Sequence, residues 1–364
     1  MKRLYILPVL SLFSLLVISE VATSPTGAQS TTSAKPTLAK PTATPMVAPT
    51  LKEDPDEVYK VDTELVNLNV RVVDRNGRPI GSLRQGDFKI FEDDVPQKIE
   101  FFSQSEVPTN YSLVIDNSNS LRSQIEQVIE ASKILIASNR PSDETSVIRF
   151  VSSSKIEILE DFTSNKTYLN EALDSLYTEG GQTAIIDAVY LAAERVNNYE
   201  KTSKDDRLRR ALVLISDGED RDSFYKEAQL MDLLRESNVQ IYVVGFVREL
   251  SSERGFITKS PQGKAKAFLE RLANETGGKA YFPNDVSELN GIARDIATEL
   301  RTQYSLGYIP TNDKEDGTYR NIRIQIADGP NSQKRIPITR AGRTAEGGTP
   351  TPTAQKPGQP PKDH

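Results

Sequence analysis

Apolar strands that lack a polar face alternate with amphipathic helices through the middle of the chain, and this alternation limits the fold more than any other sequence feature. Mostly apolar runs occur at 112–115, 211–215 and 239–246, and such runs are typical of strands buried on both faces. Apolar residues recur at helical spacing at 121–136, 185–196, 224–236, 265–276 and 286–300, and two further strands are predicted at 147–151 and 155–159. The pattern predicts an α/β fold with a doubly wound, mostly parallel sheet.

A β pattern flanks this α/β body on both sides. Val66, Leu68, Val70 and Val72 alternate with polar residues before it, which indicates a half-buried strand. Three strands are predicted after it, at 304–308, 319–326 and 335–339. We expect the segments 58–107 and 302–341 to pair into one small β domain with residues 108–301 inserted, and two independent β caps are the alternative.

The two ends of the chain differ in composition from the rest. Lys2 and Arg3 precede an uncharged, mostly apolar run at 4–18, and small residues follow it, as in a signal peptide, here assigned to 1–23. Residues 24–57, rich in Pro, Thr, Ser and Ala, and the tail 342–364 have compositions typical of disordered segments. We therefore expect a secreted, periplasmic or cell-surface protein, with an uncleaved membrane anchor as the alternative.

The composition excludes several kinds of chemistry. The 364 residues include no cysteine, and the single histidine is His364 at the very end. Thiolate sites, disulfides and catalytic triads that need a core histidine are therefore excluded. A net charge of −6 argues against a nucleic-acid partner.

Polar side chains cluster where the predicted strands end. Asp116, Ser118 and Ser120 follow the first apolar strand, Thr183 precedes a helix, and Asp217 follows the strand at 211–215. Because the carboxyl ends of parallel strands share one edge of a sheet, we expect these five side chains to lie together. An all-oxygen donor set suits Mg²⁺, with Mn²⁺ and Ca²⁺ as the alternatives.

This arrangement resembles the metal-ion-dependent adhesion site of von Willebrand factor type A domains, which has D-x-S-x-S, a Thr and an Asp on three loops. Asp116, Ser118, Ser120, Thr183 and Asp217 fill all five positions. The flanks 85–88 and 303–310 resemble the borders of such domains in exported bacterial proteins. Gln182 departs from the pattern, since many members have Gly-Thr directly at this point. The resemblance implies a Rossmann-like fold over 108–301.

The resemblance also implies a function. In the family, the serines and the threonine often bind the metal directly while one Asp acts through water. The metal then accepts a carboxylate from a partner protein. We therefore expect an exported, non-enzymatic adhesion module with no small-molecule substrate, which contacts a membrane only if its N-terminal segment stays uncleaved. The candidates for the rim of the site are Asn117, Asn119, Gln182, Glu219, Asp220 and Arg221.

Two other functions stay open on the sequence. The first is a structural or assembly component in which a metal only stabilises the fold. The second, more remote, is a Mg²⁺-dependent phosphatase with Asp116 as nucleophile, but Ser118 stands where such an enzyme normally has a second Asp. A dinucleotide-binding role is excluded, because no G-x-G-x-x-G follows the first apolar strand.

Overall fold

The computed structural model describes residues 65–104, 107–199, 208–250 and 260–345. These residues belong to one compact unit, Val61–His364. The predicted signal peptide, the linker and residues 346–364 of the tail lie outside the described residues, so these predictions stay untested. Gly342–Thr344, predicted as part of the disordered tail, form a strand that pairs with residues 319–321. No helix within the described ranges combines the length and the apolar character that a bilayer span needs.

Strands and helices alternate through the centre of the unit. In chain order the strands are β1 Val66–Val73, β2 Phe88–Glu92, β3 Val95–Gln97, β4 Ile99–Ser103, β5 Thr109–Asp116, β6 Glu144–Ser152, β7 Lys155–Thr163, β8 Arg209–Ser216, β9 Val239–Gly245, β10 Lys279–Tyr281, β11 Tyr304–Tyr308, β12 Tyr319–Ile326, β13 Ile336–Ile338 and β14 Gly342–Thr344. The helices are α1 Ile125–Ala137, α2 Lys166–Asp174, α3 Ile185–Asn198, α4 Glu227–Glu236, α5 Pro261–Glu275 and α6 Leu289–Thr302.

A six-stranded sheet forms the middle layer, in the order β10-β9-β8-β5-β6-β7. All neighbouring strands are parallel except β6 and β7, which pair antiparallel. Every residue of β5 and β9 is buried, as the apolar runs require. The predicted mostly parallel sheet is therefore confirmed.

Helices cover both faces of this sheet. Apolar side chains of α1, α2 and α6 form one core with the strands, for example Leu135, Leu173 and Ile296. Apolar side chains of α3, α4 and α5 form a second core on the other face, for example Val189 and Leu269. Burial on both faces makes the sheet doubly wound, as predicted.

The sheet reverses its strand order beside β5. From β5 the chain runs outward to β6 and β7 on one side, then returns to β8 on the other side and continues to β9 and β10. The switch point lies between β5 and β8, which end at Asp116 and Ser216. In doubly wound sheets, ligands bind in the crevice at this point.

Two antiparallel sheets flank the α/β body, in the orders β13-β1-β11-β4 and β14-β12-β2-β3. Each sheet combines strands from before and after the body: β1 pairs with β11, and β2 pairs with β12. They enclose a third core, formed by alternating residues of β1 such as Leu68 and Val70 together with Phe88, Tyr304 and Ile324. The expected small β domain is therefore present, while its exact boundaries stay a prediction.

Two buried arginines hold α6: Arg71 attaches the β domain to it, and Arg209 binds its C-terminal end from within the body. Arg71 of β1 donates to Glu299 of α6 at 2.7 Å and to the carbonyl of Gly278 at 2.7 Å. Arg209 of β8 donates to the carbonyls of Leu300 and Gln303 at 2.8 and 2.7 Å, so it caps the C-terminal end of α6. Burial lowers the pKa of Arg209 to about 10.

Candidate functional site

The first loop of the site starts where β5 ends, at the fully buried Asp116. The amide of Ser118 donates to Asp116 Oδ1 at 2.9 Å, and Ser118 Oγ lies 2.7 Å from Ser120 Oγ. Ser216 Oγ, at the end of β8, donates to Asp116 Oδ2 at 2.8 Å. Both carboxylate oxygens are thus fixed, one by the turn after β5 and one by the neighbouring strand.

The third loop continues from β8 through Asp217, which is 5% exposed. The amide of Glu219 donates to Asp217 Oδ1 at 3.0 Å. Gly218 has a φ of +82°, and a Cβ there would lie 2.8 Å from Leu269 of α5. Glycine is therefore required at this position on two counts, the positive φ and the close approach of α5.

The second loop, 176–184, is bonded to both of the others. The amide of Glu179 donates to the carbonyl of Asn117 at 2.9 Å, which joins the first and second loops. The carbonyl of Thr183 accepts the amides of Arg221 and Asp222 at 2.8 and 3.3 Å, which joins the second and third. The Thr183 residue is buried, whereas Ser120 is exposed. The three loops that carry the predicted ligands therefore form one hydrogen-bonded cluster at the switch point.

Burial and charge act together on the first carboxylate. The pKa of Asp116 is raised to about 6, mainly because burial disfavours the charged form; the hydrogen bond from Ser118 opposes this, and the charge of Asp217 adds to it. Neither Asp116 nor Asp217 forms an ion pair with a lysine or arginine of the described residues. The site therefore holds two carboxylates whose charges no neighbouring cation offsets.

These residues fit a hard divalent cation. Two carboxylates and three hydroxyls supply oxygen donors alone, as Mg²⁺ and Mn²⁺ prefer. Among the described residues, no group of three or more carboxylate, imidazole or thiol side chains is placed to hold a metal ion. A cation at the switch point would therefore need the hydroxyl groups as well as the two carboxylates.

Only some of the residues predicted to form the rim of the site are exposed. Asn119, Gln182, Asp220 and Arg221 are exposed. Asn117 is fully buried and donates from Nδ2 to the carbonyl of Tyr177 at 2.7 Å, so its placement on the rim is wrong. Its Nδ2 group joins the first loop to the second.

Sequence reasoning missed one buried carboxylate beside the site, Asp187. Its Oδ2 and Oδ1 accept the amides of Phe224 and Tyr225 at 2.8 and 2.9 Å. Helix α4 begins at Glu227 and not at 224 as predicted, after the extended N-cap residue Lys226, whose amide donates to Gln229 Oε1 at 2.9 Å. The signal was present in the sequence: Asp187 lies next to apolar positions of the helix at 185–196, and a lone carboxylate there calls for a buried partner.

Comparison with known proteins gives a curated relative and several solved structures. A Borreliella burgdorferi protein described as uncharacterized is 26% identical over 170 residues, which cover 43% of this chain and 48% of that protein. The chain thus spans about half the length of this relative.

Two solved structures illustrate the structural likeness. An aerotolerance-related membrane protein from Bacteroides fragilis is 21% identical, with a TM-score of 0.40, covering 53% of this chain and 98% of that one. Proximal thread matrix protein 1 from the mussel byssus, solved with a zinc-occupied MIDAS motif, is 16% identical, with a TM-score of 0.43, covering 54% and 49%.

The sequence itself identifies the family. The model of the von Willebrand factor type A domain matches residues 112–295, just over half of the 364 residues. The match includes the loops that carry Asp116, Thr183 and Asp217. The chain therefore belongs to the von Willebrand factor type A domain family.

Proposed function

We propose that this protein is an exported, non-enzymatic protein-binding module that captures a carboxylate of a partner protein through a divalent cation. Asp116, Ser118, Ser120, Thr183 and Asp217 would hold the cation, with Mg²⁺ as the first candidate and Mn²⁺ or Ca²⁺ as alternatives. The observation that carries the proposal is the hydrogen-bonded cluster of three loops at the switch point, with Asp116 buried at its centre.

The charges of the site support a cation. Asp116 and Asp217 are both buried, and the charge of Asp217 raises the pKa of Asp116. A divalent cation would offset two negative charges that water reaches poorly, and it would supply an electrophilic position for a partner's carboxylate. The exposed residues Asn119, Gln182 and Arg221 would then surround the incoming group.

The polar groups of the site favour binding over catalysis. Ser118, in the position where a phosphatase of the Asp-nucleophile type normally has its acid–base Asp, forms hydrogen bonds with Asp116 and Ser120. The chain has no cysteine, and its single histidine is its last residue, His364. A phosphatase would show metal-dependent turnover of a generic phosphate ester that Asp116→Asn abolishes, and we expect none.

Metal binding is tested first, on the purified full-length chain. At a free cation concentration 100 times the dissociation constant, binding stabilises the folded state by about 2.7 kcal/mol, which raises the Tm by about 5 °C in a unit of this size. Mg²⁺ or Mn²⁺ should produce this increase in the wild type and in the control Asp222→Asn. The carboxylate of Asp222 is exposed and lies on the loop that begins with Asp217. Asp116→Ala should show almost no increase. Equal affinity of wild type and Asp116→Ala for the cation would show that the site is wrongly assigned.

Partner binding is tested second, by affinity capture from an extracellular extract with and without a chelator. The proposed function predicts a protein retained by the wild type with Mg²⁺, released by chelator and lost with Asp116→Ala. A metal-dependent increase in Tm without such a protein would favour the alternative, in which a bound metal only stabilises a structural component. The export step is tested separately, by N-terminal sequencing of the mature chain.

A further inference from the structure

The loop after β8 and the first turn of α3 exchange hydrogen bonds in both directions. From the helix, the Asp187 carboxylate accepts the amides of Phe224 and Tyr225. From the loop, Asp220 Oδ1 accepts the amide of Ile186 at 3.2 Å. Amides in the first turn of a helix have no partner within the helix. The loop therefore caps α3 while a side chain of α3 fixes the loop.

Two neighbouring contacts extend this connection. Ser223 Oγ accepts the amide of Asp187 at 3.2 Å. The ring of Tyr225 stacks on that of Tyr190, one turn further along α3, with ring centroids 4.0 Å apart and an angle of 5° between the planes. The Asp187 carboxylate binds backbone amides, and it has no lysine or arginine partner among the described residues.

The connected segments carry two of the proposed ligands. Thr183 lies just before α3, Asp217 begins the loop, and the amide of Arg221 donates to the carbonyl of Thr183 at 2.8 Å. A shift of the loop along α3 would change the spacing between Thr183 and Asp217. Mg²⁺ demands near-ideal octahedral geometry at about 2.0–2.1 Å, so a small shift would weaken binding.

We infer that Asp187 is a positioning residue of the metal site, which holds the Asp217 loop in register with Thr183 without touching the cation. The inference rests on the proposed metal site and adds a residue to it. Groups that hydrogen-bond the ligands of a metal typically account for 10- to 100-fold of its affinity, and Asp187 acts one step further out, on the backbone of the loop that carries Asp217. Removal of the Asp187 contacts should therefore reduce the cation affinity far more than a substitution elsewhere in the fold that costs the same unfolding free energy.

The chain offers a matched control in Asp143, which is also buried and accepts two backbone amides, those of Thr109 at 2.9 Å and Arg140 at 2.8 Å. It lies at the opposite end of β5 from Asp116. Asp187→Asn and Asp143→Asn each keep the size of the side chain but place an amide NH₂ against a backbone N–H. Both variants should lose similar unfolding free energy in urea with chelator present.

Calorimetric titration of the full-length proteins with Mn²⁺ separates the two roles. Asp187→Asn should bind Mn²⁺ about 10-fold more weakly than the wild type, at the lower end of that range, and Asp143→Asn should bind it with wild-type affinity. Equal affinity of all three proteins would overturn the role of Asp187 and leave the metal site intact, whereas no binding by the wild type would overturn the metal site itself. If Asp187→Asn does not fold, Asp187→Ser replaces it, because serine also removes the carboxylate that accepts the amides of Phe224 and Tyr225: weaker Mn²⁺ binding supports the inference and unchanged binding refutes it.

Discussion

The replacement Asp116→Asn should make the metal-free protein more stable at neutral pH. The carboxyl group ionises near pH 3.8 in its ordinary state and at about 6 in the folded protein. Between these values the folded chain keeps a proton that the unfolded chain has released. The unfolding free energy of the metal-free protein therefore falls as the pH rises through this window.

The size of the effect follows from the two pKa values. At about 1.4 kcal/mol for each pH unit, the difference between 3.8 and about 6 costs the metal-free wild type about 3 kcal/mol above pH 7. Asparagine avoids this cost and still accepts the amide of Ser118, but it loses an acceptor for Ser216 Oγ, worth about 1 kcal/mol. Asp116→Asn should thus be more stable than the wild type by about 2 kcal/mol at pH 8 and less stable by about 1 kcal/mol below pH 4.

Urea denaturation with chelator, repeated at pH values from 4 to 8, measures this difference. Adding Mn²⁺ at pH 8 should reverse the order of stability, since the wild type gains binding energy and the variant does not. Asp222→Asn serves as the control, because its side chain is exposed. A difference between Asp116→Asn and wild type that is the same at every pH would refute the reasoning.

Three further outcomes are expected. Gly218→Ala forces a Cβ against Leu269 at a φ of +82°. It should lower the unfolding free energy by about 1–3 kcal/mol and weaken Mn²⁺ binding. Wild-type stability and Mn²⁺ affinity would contradict the requirement for glycine at this position. A chain that ends at Thr311 lacks β12, the partner of β2, so hydrogen exchange in β2 should accelerate; unchanged protection there would favour independent β caps. Arg209→Met leaves two main-chain carbonyls at the end of α6 without their donor and should lower the Tm, with a loss of about 2–3 kcal/mol; an unchanged Tm would show that the arginine adds nothing.

The sequence predicts the body of the fold well because its strands are buried on both faces. Mostly apolar runs mark β5, β8 and β9, and polar residues at the ends of β5 and β8 mark the sheet edge. The candidate ligands Asp116 and Asp217 were found for this reason: their positions depend only on where a strand ends. Helix α2 was missed, since its nine residues bury only Leu169, Ala172 and Leu173.

Features that depend on tertiary neighbours could not be predicted in this way. Phe224 and Tyr225 fit a helical pattern, but their amides bind Asp187, which is 37 and 38 residues away in the sequence. Asn117 has the polarity of a rim residue, yet it is buried because the second loop packs over it. Each error arises where a side chain of one element satisfies backbone groups of another.

The side-by-side placement of β4 and β11 has a mechanical consequence. Ser103 lies opposite Ser305, so the chain enters and leaves the α/β body at adjacent strands. β1 also pairs with β13, close to the end of the described residues. A pulling force applied to both ends of the unit therefore reaches the antiparallel sheets before it reaches the body. We expect single-molecule stretching to release the flanking strands first, with the loops of Asp116 and Asp217 under no load until then; a first rupture that releases the length of the body would contradict this.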